Sequence, residues 1–382
     1  MNIGIDGLPL TEILTGIGHY TNELARHLAS ENSSDTIEVV SPRPFIRTLD
    51  VDGNRSANLS FVRSRTSPWN SRWWSLGLPR HLRRRSIDVF HGTNFEVPLQ
   101  KVCPTVLTIH DLSMLLHAET HQKKLVRRAQ SRIPVMARAA TMLITPSEAV
   151  RREVHEHLKI PLDQVVVVSE SARDCFQPMK EEATKPIRRK LGINEDFLLY
   201  VGTVEPRKNL AILLAAFEDS VRSHSRPLQL VLAGRKGWLV DDLVKSFQRS
   251  PVAASIILTG YLSDQELAGL YSSCTAFIYP SVYEGFGLPP LEAMACGAPV
   301  IVSRIPSLVE VTGGACRAFE SNQSKELTAL ILELLDSKDQ RRELSRVGLE
   351  HAARFSWSRC ARDTRAVYEE AIKRFSKTTN QH

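Results

Sequence analysis

The stretch from Tyr279 to Val302, YPSVYEGFGLPPLEAMACGAPVIV, constrains the fold more than any other part of the chain. An apolar run leads into it, and a glycine-containing loop follows at Glu284–Gly287. Pro289 and Pro290 then predict the start of a helix, because proline suits the first helical positions. Gly297 predicts the end of that helix, and a β-rich run follows it. The stretch therefore predicts a strand, a glycine loop, a helix and a second strand, in that order.

A glycine loop in front of a helix is a favourable place for an anion. The free backbone amides of the first helical turn and the partial positive charge of the helix start point to one place. Glu284 opens the loop, and Glu292 is expected in the first turn of the helix. Both carboxylates can then accept hydrogen bonds from hydroxyl groups of the molecule that carries the anion. A sugar nucleotide has this combination of charge and hydroxyls.

Length and composition are those of a globular protein with two domains. A chain of 382 residues is long for a single core, and 42% hydrophobic with 24% charged residues is typical of soluble proteins. No segment approaches the roughly 18 consecutive apolar residues of a membrane span. The N-terminus has no basic region followed by an apolar one, so the chain is expected in the cytoplasm.

Charge and cysteine content narrow the choice of partners. The formal net charge of +7 favours an anionic partner, which leaves nucleotides, lipid headgroups and nucleic acids open. No recognised nucleic-acid motif accompanies the charge, so nucleic acid is not expected. The six cysteines have no paired spacing, which argues against a zinc site and against a disulfide framework.

Short β-rich runs alternate with helical patterns in both halves of the chain. The alternation predicts the α/β class, with two Rossmann-like domains whose parallel sheets face each other across a ligand cleft. The predicted domains are residues 1–170, which bind the acceptor, residues 171–350, which bind the donor, and a C-terminal helix, 351–382, that crosses back to the first domain. The predicted strands are Asn2–Asp6, Thr36–Val40, Asp88–His91, Thr105–Ile109, Met142–Thr145, Val165–Val168, Phe197–Val201, Leu228–Ala233, Ser255–Leu258, Ala276–Tyr279 and Pro299–Val302.

Polar residues follow the predicted strands of the first half, where ligand-binding loops are expected. Gly16 and Gly18 lie just before a predicted helix and allow a ligand to approach the backbone, although a plain tight turn also explains them. His110 directly follows a strand. It can orient a substrate hydroxyl or donate to a phosphate, and the alternative is a satisfied histidine at a sheet edge.

The second half has a similar turn in YVGTVEPRKNL. Arg207 and Lys208 precede a predicted helix with Asn209 as its N-cap, and Glu205 is expected to hold Arg207 in position. Basic side chains beside free helix amides bind a diphosphate well, since each charge-assisted hydrogen bond contributes roughly 1.5 to 3 kcal/mol. A solvated turn is the less favoured alternative, because this turn and the glycine loop follow strands of one sheet. Two further loops are expected to shape a base pocket through Gly234, Tyr261 and Leu262.

Several motifs resemble the retaining glycosyltransferases of family 4, which have the GT-B fold. The most specific are EGFGLPPLE, from Glu284 to Glu292, and GTVEPRKNL. The likeness extends over nearly the whole chain through DGLPL, TGIGHYT, DVFHGTNF, TIHDLS, ITPSEAV and FSWSRCARDTRAVYEEA. Within the family, the chain is similar to mannosyltransferases that build O-antigen and related bacterial polysaccharides. Two positions depart from the pattern: relatives commonly carry glycine at about Ser171, and alanine is more usual than Gly7.

The resemblance implies roles for the candidate residues. Glu284 contacts hydroxyls of the transferred sugar, Glu292 holds the ribose, and Arg207 with Lys208 neutralises the diphosphate leaving group. His110 meets the sugar on its reacting side. No metal and no cofactor are implied, because the cations do the leaving-group work that a metal does elsewhere. The implied catalytic residues are His110, Glu284, Arg207 and Lys208, and the implied donor-binding residues are Gly16, Gly18, Arg207, Lys208, Gly234, Tyr261, Leu262, Glu284, Gly285, Phe286, Gly287, Leu288 and Glu292.

The same resemblance implies the reaction. The donor is expected to be GDP-mannose and the acceptor a lipid-linked saccharide or polysaccharide in the synthesis of a bacterial surface glycan of the O-antigen type. A UDP- or dTDP-sugar donor is an alternative. A sugar-nucleotide epimerase or hydrolase on the same fold is another, and turnover of the donor without acceptor would indicate it.

Two basic stretches suggest where the acceptor binds. Seven arginines and no acid lie between Arg63 and Arg85, interleaved with tryptophans, and six basic residues without an acid lie between Lys123 and Arg138. One hypothesis is that the first domain rests on an anionic membrane surface. The alternative is a solvated basic face with its tryptophans, Trp69, Trp73 and Trp74, packed in the core.

Overall fold

The computed structural model describes residues 1–46, 56–64 and 72–379. Their contacts divide them into two compact units. The first unit comprises Met1–Leu112, Arg127–Glu170 and the chain from Ser356 onward, and the second comprises Ser113–Val126 and Ser171–Phe355. The division thus falls between Glu170 and Ser171. The second unit also takes in Ser113–Val126, a segment within residues 1–170 that the sequence pattern assigned to the first domain.

The first unit is built on a parallel sheet of seven strands in the order β3-β2-β1-β4-β5-β6-β7. The central strand β1 is almost entirely buried, with Ile3 and Ile5 inaccessible to solvent, as expected for a parallel sheet covered on both faces. Strands β2 and β3 are added on one side of β1, and strands β4 to β7 are added on its other side. The strands are β1 Asn2–Asp6, β2 Thr36–Ser41, β3 Leu59–Arg63, β4 Val89–Gly92, β5 Thr105–Thr108, β6 Met142–Thr145 and β7 Val165–Val167.

The second unit has a parallel sheet of six strands in the order β10-β9-β8-β11-β12-β13. Here the order reverses between β8 and β11, which pair directly, with Ala276 opposite Leu198. The loops that follow these two strands are therefore neighbours, which is where ligands bind in open α/β sheets. The strands are β8 Asp196–Val201, β9 Leu228–Ala233, β10 Ile256–Gly260, β11 Ala276–Tyr279, β12 Val300–Ser303 and β13 Arg317–Phe319.

Helices connect the strands, as the alternating pattern predicts. Within the described ranges, none of them combines the length and apolarity that crossing a membrane requires. The helices are α1 Gly16–Glu31, α2 Leu78–Arg84, α3 Ser113–Leu116, α4 Lys123–Ala139, α5 Glu148–Leu158, α6 Glu181–Lys190, α7 Leu210–Ser223, α8 Asp241–Arg249, α9 Asp264–Ser273, α10 Leu288–Ala295, α11 Pro306–Thr312, α12 Ser324–Asp336, α13 Lys338–Ala352 and α14 Trp357–Thr379.

The last helix, α14, belongs to the core of the first unit. Its Trp357 and Tyr368 are buried in one apolar cluster with Tyr20 and Leu24 of α1. The phenol of Tyr368 lies 2.8 Å from Nδ1 of His91, whose Nε2 lies 2.7 Å from the hydroxyl of Thr108. Burial lowers the pKa of His91 to about 3, so this ring is neutral at pH 7. Strand β4, strand β5 and α14 are thus joined by one buried polar chain.

Substitution of Tyr368 tests the contribution of α14 to the first unit. Tyr368→Phe keeps the packing but leaves Nδ1 of His91 without its hydrogen-bond partner, which should cost about 1–3 kcal/mol of unfolding free energy. Tyr368→Ala should cost more, about 3–5 kcal/mol, because a buried ring is lost. Urea unfolding measures both, and equal losses for the two variants would contradict the packing described here.

Candidate active site

The loops after β8 and β11 meet at the carboxyl end of the second sheet. After β8 the chain forms a tight helical turn, Pro206–Lys208, before α7 begins at Leu210. After β11 it forms the loop from Pro280 to Gly287, which leads into α10. A backbone hydrogen bond from Val282 N to the carbonyl of Arg207, at 2.9 Å, joins the two loops.

Four charged side chains from these loops form a strand-end ion cluster, consisting of Glu205, Arg207, Lys208 and Glu284. Arg207 Nη1 donates to Glu284 Oε2 at 2.8 Å, and Lys208 Nζ donates to Glu284 Oε1 at 2.6 Å. Arg207 Nη2 donates to Glu205 Oε1 at 2.7 Å. Lys208 also donates to the phenol of Tyr279, the last residue of β11, at 2.6 Å. Lys208, Glu205 and Glu284 are all buried.

Burial makes the charges of the strand-end ion cluster interdependent. Burial by itself raises the pKa of Glu284, but the charges of Arg207 and Lys208 outweigh it and bring the pKa to about 2. Burial and the charge of Arg207 lower the pKa of Lys208. Glu284 is therefore a carboxylate at any physiological pH, and it holds both cations at the end of the sheet.

The strand-end ion cluster retains hydrogen-bonding capacity for a ligand. Each oxygen of Glu284 has more than one lone pair, so it can accept from a hydroxyl while it accepts from Arg207 or Lys208. An ammonium group has three N–H donors, and two partners of Lys208 lie among the described residues. One donor of Lys208 thus remains for a ligand oxygen.

The glycine loop owes its shape to packing as well as to any ligand. Gly287 has a φ of +110°, and a Cβ on it would lie 2.5 Å from Leu308 Cδ2, so no other residue fits there without strain. The hydroxyl of Ser307 donates to the carbonyl of Glu284 at 2.6 Å and fixes the start of the loop. Phe286 is buried and meets the ring of Phe355 edge-on, at a centroid distance of 6.2 Å.

The position of Glu292 differs from the prediction. Helix α10 begins at Leu288, ahead of the two prolines rather than with them, so Glu292 lies in the second turn and not in the first. It is buried, and Tyr271 donates to its Oε2 at 3.3 Å. Burial raises the pKa of Glu292 to about 7. The prolines and the left-handed Gly287 are compatible with either start, which is why the pattern misplaced the turn.

Sequence reasoning missed Arg173, which accompanies Glu292. Its Nη2 lies 3.8 Å from Glu292 Oε1, and its Nη1 lies 2.5 Å from Oδ2 of Asp264. Arg173 lies in a segment without hydrophobic periodicity, so the sequence pattern offers no signal for it. Ser171, where the family resemblance leads one to expect glycine, is not in the left-handed region of φ, so serine introduces no backbone strain there.

The three residues expected to shape a base pocket have structural explanations of their own. A Cβ on Gly234 would lie 2.0 Å from the carbonyl oxygen of Gly202, so close backbone packing requires this glycine. Leu262 is buried in the core of the second unit. Tyr261 is exposed, with the guanidinium of Arg235 4.8 Å from its ring centroid. Their contact with a base stays a prediction.

In the first unit, His110 follows β5 and has partners for both ring nitrogens. Nδ1 lies 3.1 Å from Oε1 of Glu170, and Nε2 lies 2.9 Å from the carbonyl oxygen of Thr93. Gly16 is the first residue of α1, and a Cβ there would meet nothing within 4 Å, whereas a Cβ on Gly18 would lie 3.0 Å from Leu14. Close packing thus explains why position 18 is a glycine, whereas no steric contact requires a glycine at position 16. The contacts of these residues with substrate stay predictions.

Comparison with known proteins agrees with this architecture. Residues 14–170 match the model for "Glycosyltransferase Family 4", and residues 183–351 match that for "Glycosyl transferases group 1". The sucrose-phosphate synthase of Thermosynechococcus elongatus superposes with a TM-score of 0.77 over 97% of this chain and 98% of that one, at 19% identity. Two α/β units with parallel sheets and these matches define a GT-B glycosyltransferase.

Proteins similar in sequence identify the family to which the chain belongs. The chain is 32% identical to O-antigen chain mannosyltransferase B of Escherichia coli, over 94% of this chain and 97% of that protein. It is 31% identical to the MMP alpha-(1->4)-mannosyltransferase of Mycolicibacterium hassiacum, over 76% of this chain and 72% of that one. The chain therefore belongs to glycosyltransferase family 4, as its motifs suggest.

Replacing Lys208 tests the strand-end ion cluster. Lys208→Met should lower kcat by about 10²–10³-fold, as does the loss of one preorganised donor in other enzymes. It should also destabilise the fold by roughly 3–5 kcal/mol, because Glu284 loses a buried partner.

The double variant Lys208→Met/Glu284→Gln is the matched control, because it removes one charge of each sign. Unfolding free energy should recover relative to Lys208→Met, while sugar transfer stays low. Near-normal transfer by Lys208→Met would contradict a catalytic role for this side chain.

Proposed function

We propose that the protein is a retaining mannosyltransferase that moves mannose from GDP-mannose to a lipid-linked saccharide or polysaccharide during the synthesis of a bacterial surface glycan of the O-antigen type. Two relatives that match along most of this chain are named mannosyltransferases, and one of them is named for the O-antigen chain. The observation that carries the proposal is the convergence of Arg207 and Lys208 on Glu284 at the ends of two paired strands.

The strand-end ion cluster suits the breaking of a sugar–diphosphate bond. The bond from the anomeric carbon to the diphosphate oxygen breaks, and negative charge develops on that oxygen. Arg207 and Lys208 are already held in place, so stabilising this charge needs little reorganisation. Glu284 accepts hydrogen bonds from the sugar hydroxyls, and Glu292 accepts them from the ribose. The acceptor oxygen forms its bond on the face that the diphosphate leaves, and its proton passes to the departing diphosphate.

The choice of donor is tested by a thermal-shift panel with GDP-mannose, UDP-glucose and a dTDP-sugar. A ligand that binds only the native state raises the melting temperature, so GDP-mannose should raise it most. Transfer to a lipid-linked mannosyl acceptor should then proceed with GDP-mannose, yield an α-linked product by NMR, and persist in EDTA. A larger shift with another nucleotide would contradict the donor, and loss of transfer in EDTA would contradict metal independence.

The same mixture without acceptor separates transfer from the alternative of an epimerase or hydrolase. Donor should then turn over slowly. Rapid release of GDP, or rapid formation of an epimerised sugar nucleotide without acceptor, would favour the alternative.

We also propose that the first unit contacts the anionic cytoplasmic face of the plasma membrane. Arg80, Arg83 and Arg84 of α2 are exposed and line a groove with Leu76 and Gln100. None of the described residues that line this groove is acidic. Each cation in such a cluster contributes about 1 kcal/mol to the free energy of binding to an anionic membrane surface.

Some other residues of the two basic stretches have contacts within the protein. Trp73 is buried and Trp74 packs against the same apolar cluster, so neither is available as a membrane anchor. Arg128 and Arg132 of α4 both pair with Glu96. Of the other residues that suggest a membrane contact, Arg65 and Trp69 lie outside the described ranges.

Flotation with vesicles tests the membrane contact. The protein should float with vesicles that contain phosphatidylglycerol and not with neutral phosphatidylcholine, and Arg80→Glu/Arg83→Glu/Arg84→Glu should abolish the difference. The charge-conserving Arg80→Lys/Arg83→Lys/Arg84→Lys is the control. Equal flotation of the wild type with both vesicles would exclude the contact.

A further inference from the structure

We propose that Glu170 is a positioning residue that keeps His110 in the imidazolium form with a fixed ring, so that His110 acts through its positive charge and not as a base. The inference rests on the proposed function, because it assigns His110 its part in sugar transfer. Glu170 is the last residue of the first unit before the chain passes at Ser171 into the second. The sequence pattern gave it no role.

The two hydrogen bonds of His110 determine its protonation. A backbone carbonyl oxygen can only accept, so Nε2 must carry a hydrogen to bond Thr93 at 2.9 Å. A carboxylate can likewise only accept, so Nδ1 must carry a hydrogen to bond Glu170 at 3.1 Å. A ring that donates from both nitrogens is an imidazolium. Since its nitrogens have no lone pair to offer, it cannot take a proton from an acceptor hydroxyl.

The surroundings favour the charged ring. Burial by itself lowers the pKa of His110, but the hydrogen bond and the charge of Glu170 outweigh it, and with Asp111 they raise the pKa above the ordinary value. The ring of Tyr20 from α1 stands edge-on at 4.7 Å, and burial keeps its phenol neutral by raising its pKa. His91 from β4 is neutral, as described above.

On the remaining side, Cys360 of α14 stays a thiol, because burial and the charge of Glu170 raise its pKa. Phe95, from the loop after β4, contributes only an edge at 6.3 Å from the ring centroid of His110. Glu170 is therefore the carboxylate on which the charge of His110 depends, and Asp111 assists it.

The two hydrogen bonds of His110 limit the ways in which a substrate can interact with its ring. A ligand that takes a hydrogen bond from His110 must displace Glu170 or the carbonyl of Thr93, whereas a ligand with negative charge gains from the imidazolium without disturbing either bond. The ring is thus suited to the charge of the donor phosphates or to charge that develops as they leave. Glu170→Gln removes the carboxylate and retains the shape of the side chain, so it should lower the pKa of His110.

The pH profile of kcat/KM separates this role from a merely structural one. Activity that needs the imidazolium is present below the pKa of His110 and falls as pH rises through it. In Glu170→Gln this alkaline fall should move to lower pH, so the variant approaches wild-type activity at acidic pH and falls behind as pH rises, by about tenfold for each unit of pKa that is lost. Glu170→Asp, which keeps the charge, should retain most of the wild-type profile.

An NMR titration of the ring nitrogens measures the pKa of His110 directly, without any substrate. The signals of His110 are identified by their absence in His110→Asn. In the wild type both nitrogens should carry hydrogen at pH 7, and in Glu170→Gln the ring should lose one at a lower pH than in the wild type. If the protein proves not to transfer mannose, this titration still tests the pair.

Three results would overturn the proposal. One is a neutral His110 in the wild type at pH 7, which can be observed even if Glu170→Gln does not fold. Another is a His110 that titrates at the same pH in Glu170→Gln and in the wild type. The third is a loss of activity in Glu170→Gln that is equal at every pH, because that result would indicate a structural role only.

Discussion

The double ion pair at Glu284 is the interaction on which the candidate site depends. One buried carboxylate holds the guanidinium of Arg207 and the ammonium of Lys208 at 2.8 and 2.6 Å. Two cations side by side in a buried place repel each other, and the acid makes their proximity tolerable. The same acid lies where a sugar hydroxyl is expected. The residue that brings together the two cations proposed to bind phosphate is thereby also the residue proposed to recognise the sugar.

This arrangement follows from the topology of the second sheet. Strands β8 and β11 lie next to each other at the point where strand order reverses, although 74 residues separate the end of β8 at Val201 from the start of β11 at Ala276. The turn that carries Arg207 and the loop that carries Glu284 consequently emerge at one edge. The first sheet reverses its order in the same way between β1 and β4, and the loop after β4 supplies the carbonyl that fixes His110.

Much of the fold could be predicted because buried parallel strands read as short apolar runs. Asn2–Asp6, Met142–Thr145, Leu228–Ala233 and Ala276–Tyr279 are strands with the predicted bounds. The strands Leu59–Arg63 and Arg317–Phe319 were missed, since both lie at sheet edges and are only partly buried. For the site, motifs identified Arg207, Lys208 and Glu284, but the partners Glu170 and Arg173 could not be found. They lie in a segment without periodicity, and their role comes only from what surrounds them in space.

The central claim is that Arg207 and Lys208 bind a nucleotide diphosphate beside Glu284. A crystal structure of the protein with GDP tests it most directly, because it locates the phosphates without reference to activity. The account predicts phosphate oxygens within hydrogen-bonding distance of Lys208 Nζ and the Arg207 guanidinium, with the ribose hydroxyls at Glu292. A diphosphate bound elsewhere, with the ion pairs of Glu284 unchanged and no phosphate against either cation, would contradict it.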